Sequence, residues 1–146
     1  MIDQAGIMMA QGLGTASERI QGVNDNMSQS HYHEYFEIYY LEAGERFHMV
    51  EDQLYHMEQG EFMIFPPYVM HHSYGEKNVP FKRLVLYFTP EEVLWPSILT
   101  ELKEEIGVYQ VDIRERQEIH RLMEILLKEQ NNPGLHHDAF NQGIIN

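Results

Sequence analysis

Residues 31–44 read H-Y-H-E-Y-F-E-I-Y-Y-L-E-A-G. Two histidines stand one residue apart, and a glutamate follows four positions after the second. The apolar run Phe36-Glu37-Ile38-Tyr39-Tyr40-Leu41 then reads as a strand, ended by Ala43-Gly44. Side chains alternate across a strand, so His31, His33, Glu37 and Tyr39 share one face. Imidazoles two apart on a strand can converge on one ion or one polar ligand. Glu37 is harder to bring in, because on a straight strand it would lie about 13 Å from His33. A bend over residues 34–36 is therefore required if the three groups are to form one site.

Working outward, short apolar runs alternate with turn signals. Residues 46–50 and 54–57 read as a hairpin around Glu51-Asp52-Gln53. Gln59-Gly60 is the next turn, residues 61–65 the next strand, and Pro66-Pro67 breaks it. Residues 69–74 and 81–88 complete the series, with a loop at Gly75-Glu76-Lys77-Asn78 between them. One further short strand is expected near Arg19–Val23. Strands of this length and spacing predict a mainly β fold, a small sandwich or barrel, over residues 18–88. Residues 1–17, rich in Gly, Gln, Ser and Met, show no period and read as a flexible arm.

Beyond residue 88 the pattern turns helical, and residues 89–146 read as a helical segment. Thr89-Pro90-Glu91-Glu92 predicts a helix start with a capping box, and Pro96 its end. A second helix is expected to about Ile106, capped by Gly107. Asp112 and Glu115 open a third, with Ile119, Leu122, Met123 and Leu126 at helical spacing and a stop at Asn131-Asn132-Pro133-Gly134. Ile125 and Leu127 widen its stripe beyond what packing on one barrel uses, which points to a subunit interface in a homodimer. The final residues, ending in Ile144-Ile145-Asn146, suggest a chain cut from a longer protein.

Composition excludes several classes. The chain has 146 residues, enough for one domain with a real core. Its net charge is −13, with no Lys/Arg cluster, so neither nucleic acid nor an anionic membrane is an expected partner of this segment. There is no cysteine, which rules out a disulfide framework and fits a cytoplasmic setting. No run reaches the length of a membrane-spanning helix.

A fourth member of the polar set is His71, on the strand that follows Pro66-Pro67, whereas His72 has the opposite parity. With it a resemblance emerges. His31-x-His33-x3-Glu37-x6-Gly44 resembles the first cupin motif, and Gly60-x5-Pro66 with His71 resembles the second. Asp25 and Tyr68 stand where those motifs usually carry glycine. The resemblance implies a cupin (RmlC-like jelly-roll) barrel, with a metal ion held at His31, His33, Glu37 and His71 in the metal-binding members.

More narrowly, residues 31–44, Gly60–Pro67, His71 and L-V-L-Y-F-T-P-E (84–91) resemble the N-terminal, ligand-sensing half of AraC-type transcription regulators. That likeness implies a small effector, often a sugar or related metabolite, in the barrel. It also implies helices that pair two subunits, and DNA contact through a separate C-terminal domain.

Three readings of the polar set stand together: hydrogen bonding to an organic effector, a transition metal such as Zn, Ni, Mn or Fe, or a structural polar cluster. The preferred expectation is a non-enzymatic effector sensor with ligand contacts from His31, His33, Glu37, Tyr39 and His71. It requires no cofactor. The rival is a metal-dependent cupin enzyme: a dioxygenase, isomerase or decarboxylase. Arg46, His48 and Tyr87 are weaker ligand candidates, Arg46 reading more simply as a solvated hairpin residue. His56, His120, His136 and His137 read as surface residues.

Overall fold

The computed structural model describes residues 4–23, 32–75, 80–104, 107–109, 113–131 and 137–146. Among the described residues, eight strands form two sheets. The larger runs in the order β1 (Thr15–Val23), β7 (Pro80–Phe88), β2 (Phe36–Ala43), β5 (Phe62–Phe65), β8 (Gly107–Tyr109). The smaller runs β4 (Gln53–Glu58), β3 (Glu45–Val50), β6 (His71–Tyr74). All pairings are antiparallel.

Burial explains why some strands alternate in sequence and others do not. In β3, Arg46, His48 and Val50 are buried while Glu45, Phe47 and Met49 are only partly covered. This is the pattern of a sheet with one wet face. In β2 and β7 both faces are covered. Tyr39, Leu41, Val85 and Tyr87 point into the barrel with Met57, Met63 and Phe65. Phe36, Tyr40, Leu84, Leu86 and Phe88 face the other way, against Met123 and Leu126 of helix α3 (Ile113–Asn131). A strand buried on both sides reads as the unbroken apolar run seen at 84–88.

Two glycines are placed by geometry. Gly44 sits at φ +91, and a Cβ there would stand 2.5 Å from the Pro80 carbonyl oxygen. Gly60, at φ +89, lets the Arg116 side chain lie where a Cβ would be. Only glycine adopts this backbone conformation without steric strain. Tyr68, at φ +65, takes the left-handed conformation with a full side chain.

Several local expectations are corrected. The stretch read as an arm contains helix α1 (Gln4–Ala10), whose Ala5 and Met9 are buried in the barrel core. Its first N–H groups are held by the Glu18 carboxylate, which accepts from Gln4 at 2.6 Å and from Ala5 at 3.3 Å. Strand β1 begins at Thr15, earlier than read. Thr89 makes no side-chain cap, and only one 3-10 turn, Pro90–Glu92, forms there. Pro96 opens helix α2 (Pro96–Glu104) rather than ending one, as proline at a first helical position can. Gly107 starts β8, which pairs with β5, instead of capping a helix. Asp112, Asn132, Pro133 and Gly134 lie outside the described residues. Helix α4 (His137–Ile145) closes the chain.

Helix α3 also seals a sheet edge. Ser17, on the outer strand β1, donates its N–H to Gln130 Oε1 (2.7 Å) and accepts from Gln130 Nε2 at its carbonyl (2.8 Å). An open strand edge is thereby paired with a side-chain amide.

Candidate functional site

The required bend is present. The chain turns at Glu34-Tyr35 before β2 begins at Phe36. His33 therefore folds back over the strand, and its Nε2 lies 3.1 Å from Glu37 Oε1. Across the barrel β6 begins at His71, paired in register with Val50. Its Nε2 lies 3.5 Å from the same carboxylate oxygen. Glu37, opposite Tyr87 on one side and Phe65 on the other, is only 4% exposed.

Backbone carbonyls fix both rings. His33 Nδ1 is 2.9 Å from the Tyr35 carbonyl, and His71 Nδ1 is 3.0 Å from that of Val69. With each Nδ1 at hydrogen-bond distance of a carbonyl, each Nε2 faces Glu37, as an acceptor in the neutral ring and as a donor in the protonated one. Two imidazole acceptors and a carboxylate cannot face one another unless a positive charge or a donor hydrogen lies among them. A proton on one ring, a ligand hydroxyl or a metal ion each meets that need. Glu37 is held well below the usual carboxylate range: burial opposes its charge, but hydrogen bonding and the charges of His33 and His71 outweigh it. The three ligand atoms lie within 4.8 Å of one another. Inward Nε2 atoms anchored through Nδ1–H on carbonyls are what metal-ligating histidines require, so these residues fit a divalent ion.

Aromatic rings frame the cluster. Tyr35 stacks on His33 at 4.1 Å and 6°, and Phe65 stacks on His71 at 4.3 Å. Tyr87 leans on both His33 and Tyr35. His33 and Tyr35 also line a cleft of about 760 Å³ at this end of the barrel, with Pro67, Tyr68, Thr89 and the α1 residue Met9. The Tyr68 N–H donates to the His33 carbonyl at 2.9 Å, which ties the strained turn to the site.

Deeper in the barrel lie Tyr39, Arg46, His48 and Arg83. Tyr39 is fully buried, its ring edge-on to His48 at 4.5 Å and 5.3 Å from the Arg83 guanidinium carbon. Burial raises its hydroxyl pKa, against the opposing pull of Arg83 and Arg46. Both ring nitrogens of His48 are buried with no hydrogen-bond partner among the described residues. Burial lowers its pKa to about 3; the Glu37 carboxylate opposes this, and Arg46, His71 and Arg83 reinforce it.

The sequence expectations divide accordingly. His33, Glu37 and His71 come together, and Tyr39 lies one step further into the same interior. His31 lies outside the described residues, as do His136 and the side chain of His137. Arg46 is not solvated: it is 2% exposed, stacked over Phe81 at 4.2 Å. His120 is no plain surface residue either, since its Nε2 meets Glu42 at 2.6 Å. His56 is exposed beside Glu45. Arg83 and Tyr35 were not anticipated. Arg83 shares the inward parity of Val85 and Tyr87 and was legible by that rule, whereas Tyr35 acts through the bend.

Comparison with known proteins adds family and fold. The model of the AraC-like ligand binding domain family matches residues 19–143. No curated protein matches the chain. A cupin protein from Bacteroides fragilis is 15% identical over 68% of this chain and 80% of its own, with a TM-score of 0.51. An RmlC-like cupin family protein from Methanocaldococcus jannaschii, with a double-stranded β-helix fold, is 17% identical over 51% and 70%, at 0.47. The DMSP lyase DddQ from Ruegeria pomeroyi is 23% identical over 51% and 38%, at 0.46. The first of these likenesses identifies the two-sheet barrel as a cupin fold.

Proposed function

The chain belongs to the family of AraC-like ligand-binding domains, and from that membership we propose that it is the effector-sensing and dimerisation domain of a transcription regulator. A small polar metabolite, such as a sugar, enters by the cleft at the His33 end of the barrel. It meets His33, Glu37, His71 and Tyr39, with His31 assigned the same role by its motif position. The observation that carries this reading is the inward-turned trio of two imidazole Nε2 atoms and one carboxylate beside an open cleft. Hydroxyl donors of a polar effector satisfy such a trio directly. Helix α1 lies along the cleft, so a ligand that touches Met9 there favours one placement of α1 over another. DNA contact falls to a separate domain, since the net charge of −13 repels phosphate.

A second reading rests on the same trio. A divalent transition metal (Zn, Ni, Mn or Fe) would be held by His33, Glu37 and His71, with His31 as a fourth ligand. When bound it would supply Lewis-acid chemistry to an oxygen ligand. On that reading the protein is a metal-dependent dioxygenase, isomerase or decarboxylase.

Calorimetric titration of chelator-treated protein with a panel of sugars and small organic acids, with and without added Zn²⁺ or Ni²⁺, separates the two. Metal-independent binding of one compound, weakened about ten-fold or more by Glu37→Gln, supports the sensor. Stoichiometric metal uptake with conversion of a bound compound would replace it by the enzyme.

A further inference from the structure

A second cleft, of about 530 Å³, opens on the opposite face of the large sheet, where helix α3 crosses it. Lys82 of β7 and the Gln59-Gly60 turn line it from the barrel; Arg116, Gln117 and His120 line it from α3. The chain has 23 acidic residues and only 10 basic ones, yet neither Lys82 nor the Arg116 guanidinium makes an ion pair with a described residue. The side chains of Gln59 and Gln117 likewise make no hydrogen bond among the described residues.

Among the described residues the one carboxylate lining the cleft, Glu42, does not answer these cations. Glu42 Oε1 is 2.7 Å from Arg19 Nε, and its Oε2 takes Arg19 Nη2 at 3.1 Å and His120 Nε2 at 2.6 Å. Both its oxygens are engaged by Arg19 and His120, which Glu124 also meets. The His120 ring stacks on Tyr40 at 5.1 Å and 22°, forming a wall of the cleft. Gly60 lacks the Cβ that would displace Arg116, which lies across the turn.

The geometry points to a site for a small anion, a phosphate or a dicarboxylate, gripped by Lys82 from the barrel and Arg116 from helix α3. A guanidinium offers such an anion paired donors, and a lysine offers a compact charge. Because the two cations belong to different elements, the bound anion ties α3 to the barrel. It is distinct from the effector site, and does not depend on it. Its consequence is coupling: an anion that prefers the docked helix stabilises docking by the same factor that docking strengthens its binding.

The test is titration of the protein with inorganic phosphate and, separately, with succinate, at constant ionic strength, followed by calorimetry and amide NMR. Saturable binding of either probe is expected, with shifts at Gly60, Lys82 and Arg116. Lys82→Gln with Arg116→Gln should weaken it about ten-fold or more, while Glu37→Gln leaves it intact. The probe that binds more tightly tells phosphate from carboxylate. Absence of saturation with both, an unchanged affinity in the double variant, or shifts confined to other regions would overturn the site. Should the double variant not fold, the wild-type shift map alone decides.

Discussion

Protonation acts on Glu37 and His48 in different ways but with one result. Glu37 has its folded pKa depressed below 4.5, so its contribution is complete above that value and is lost as pH falls through the folded one. His48 is buried neutral, with a folded pKa of about 3 against an ordinary 6.5. The unfolded chain therefore takes up a proton below 6.5 that the folded chain refuses. Stability from this residue is complete above pH 6.5 and declines as pH falls towards 3, at about 1.4 kcal/mol per unit. Urea unfolding at pH 7 and pH 5 should differ by about 2 kcal/mol from His48 alone. His48→Gln removes the ionisable ring, so the variant should lose that part of the slope. An unchanged slope would mean that His48 takes up its proton in the folded barrel.

At the level of elements, two turns with the same left-handed backbone should respond oppositely to substitution. Gly44→Ala places a methyl against the Pro80 carbonyl, where backbone has no room to yield. A loss of about 2 kcal/mol or more is expected in urea unfolding. Tyr68 is 65% exposed and gains little from packing, so Tyr68→Gly relieves strain and should raise stability by up to about 1 kcal/mol. Tyr68 also lines the cleft beside His33, where the proposed effector enters. The same variant should therefore weaken effector binding while strengthening the fold. On helix α3, Ile119, Met123, Leu126 and Leu127 pack on the barrel, whereas Leu122 and Ile125 stay half-buried outside that cluster.

For the whole molecule, that division of α3 sets the expected assembly. Sedimentation equilibrium should find a homodimer, and Leu122→Glu with Ile125→Glu should shift it towards monomer with little loss of helicity. A monomer in the unaltered chain would remove the dimer seam from Leu122 and Ile125. Among the described residues no helix is long and apolar enough to cross a membrane. The existence of β3, the turns at Gly44 and Gly60, and the 3.6 period of α3 were legible in the sequence as local patterns, but the face that β3 buries was not, since Arg46 and His48 lie inside while Phe47 and Met49 stay partly covered. The motif spacing likewise carried the family and the nearness of His33, Glu37 and His71. Other features were set by distant parts of the chain. Helix α1 exists because Glu18 caps it and the barrel end buries Ala5 and Met9. Gly107 became a strand because β5 offered an edge, and Arg46 was buried because the sheets close around it. Those outcomes depend on surfaces assembled from residues far apart in sequence, so no local window records them; only the closed barrel decides where such groups lie and which charges they meet.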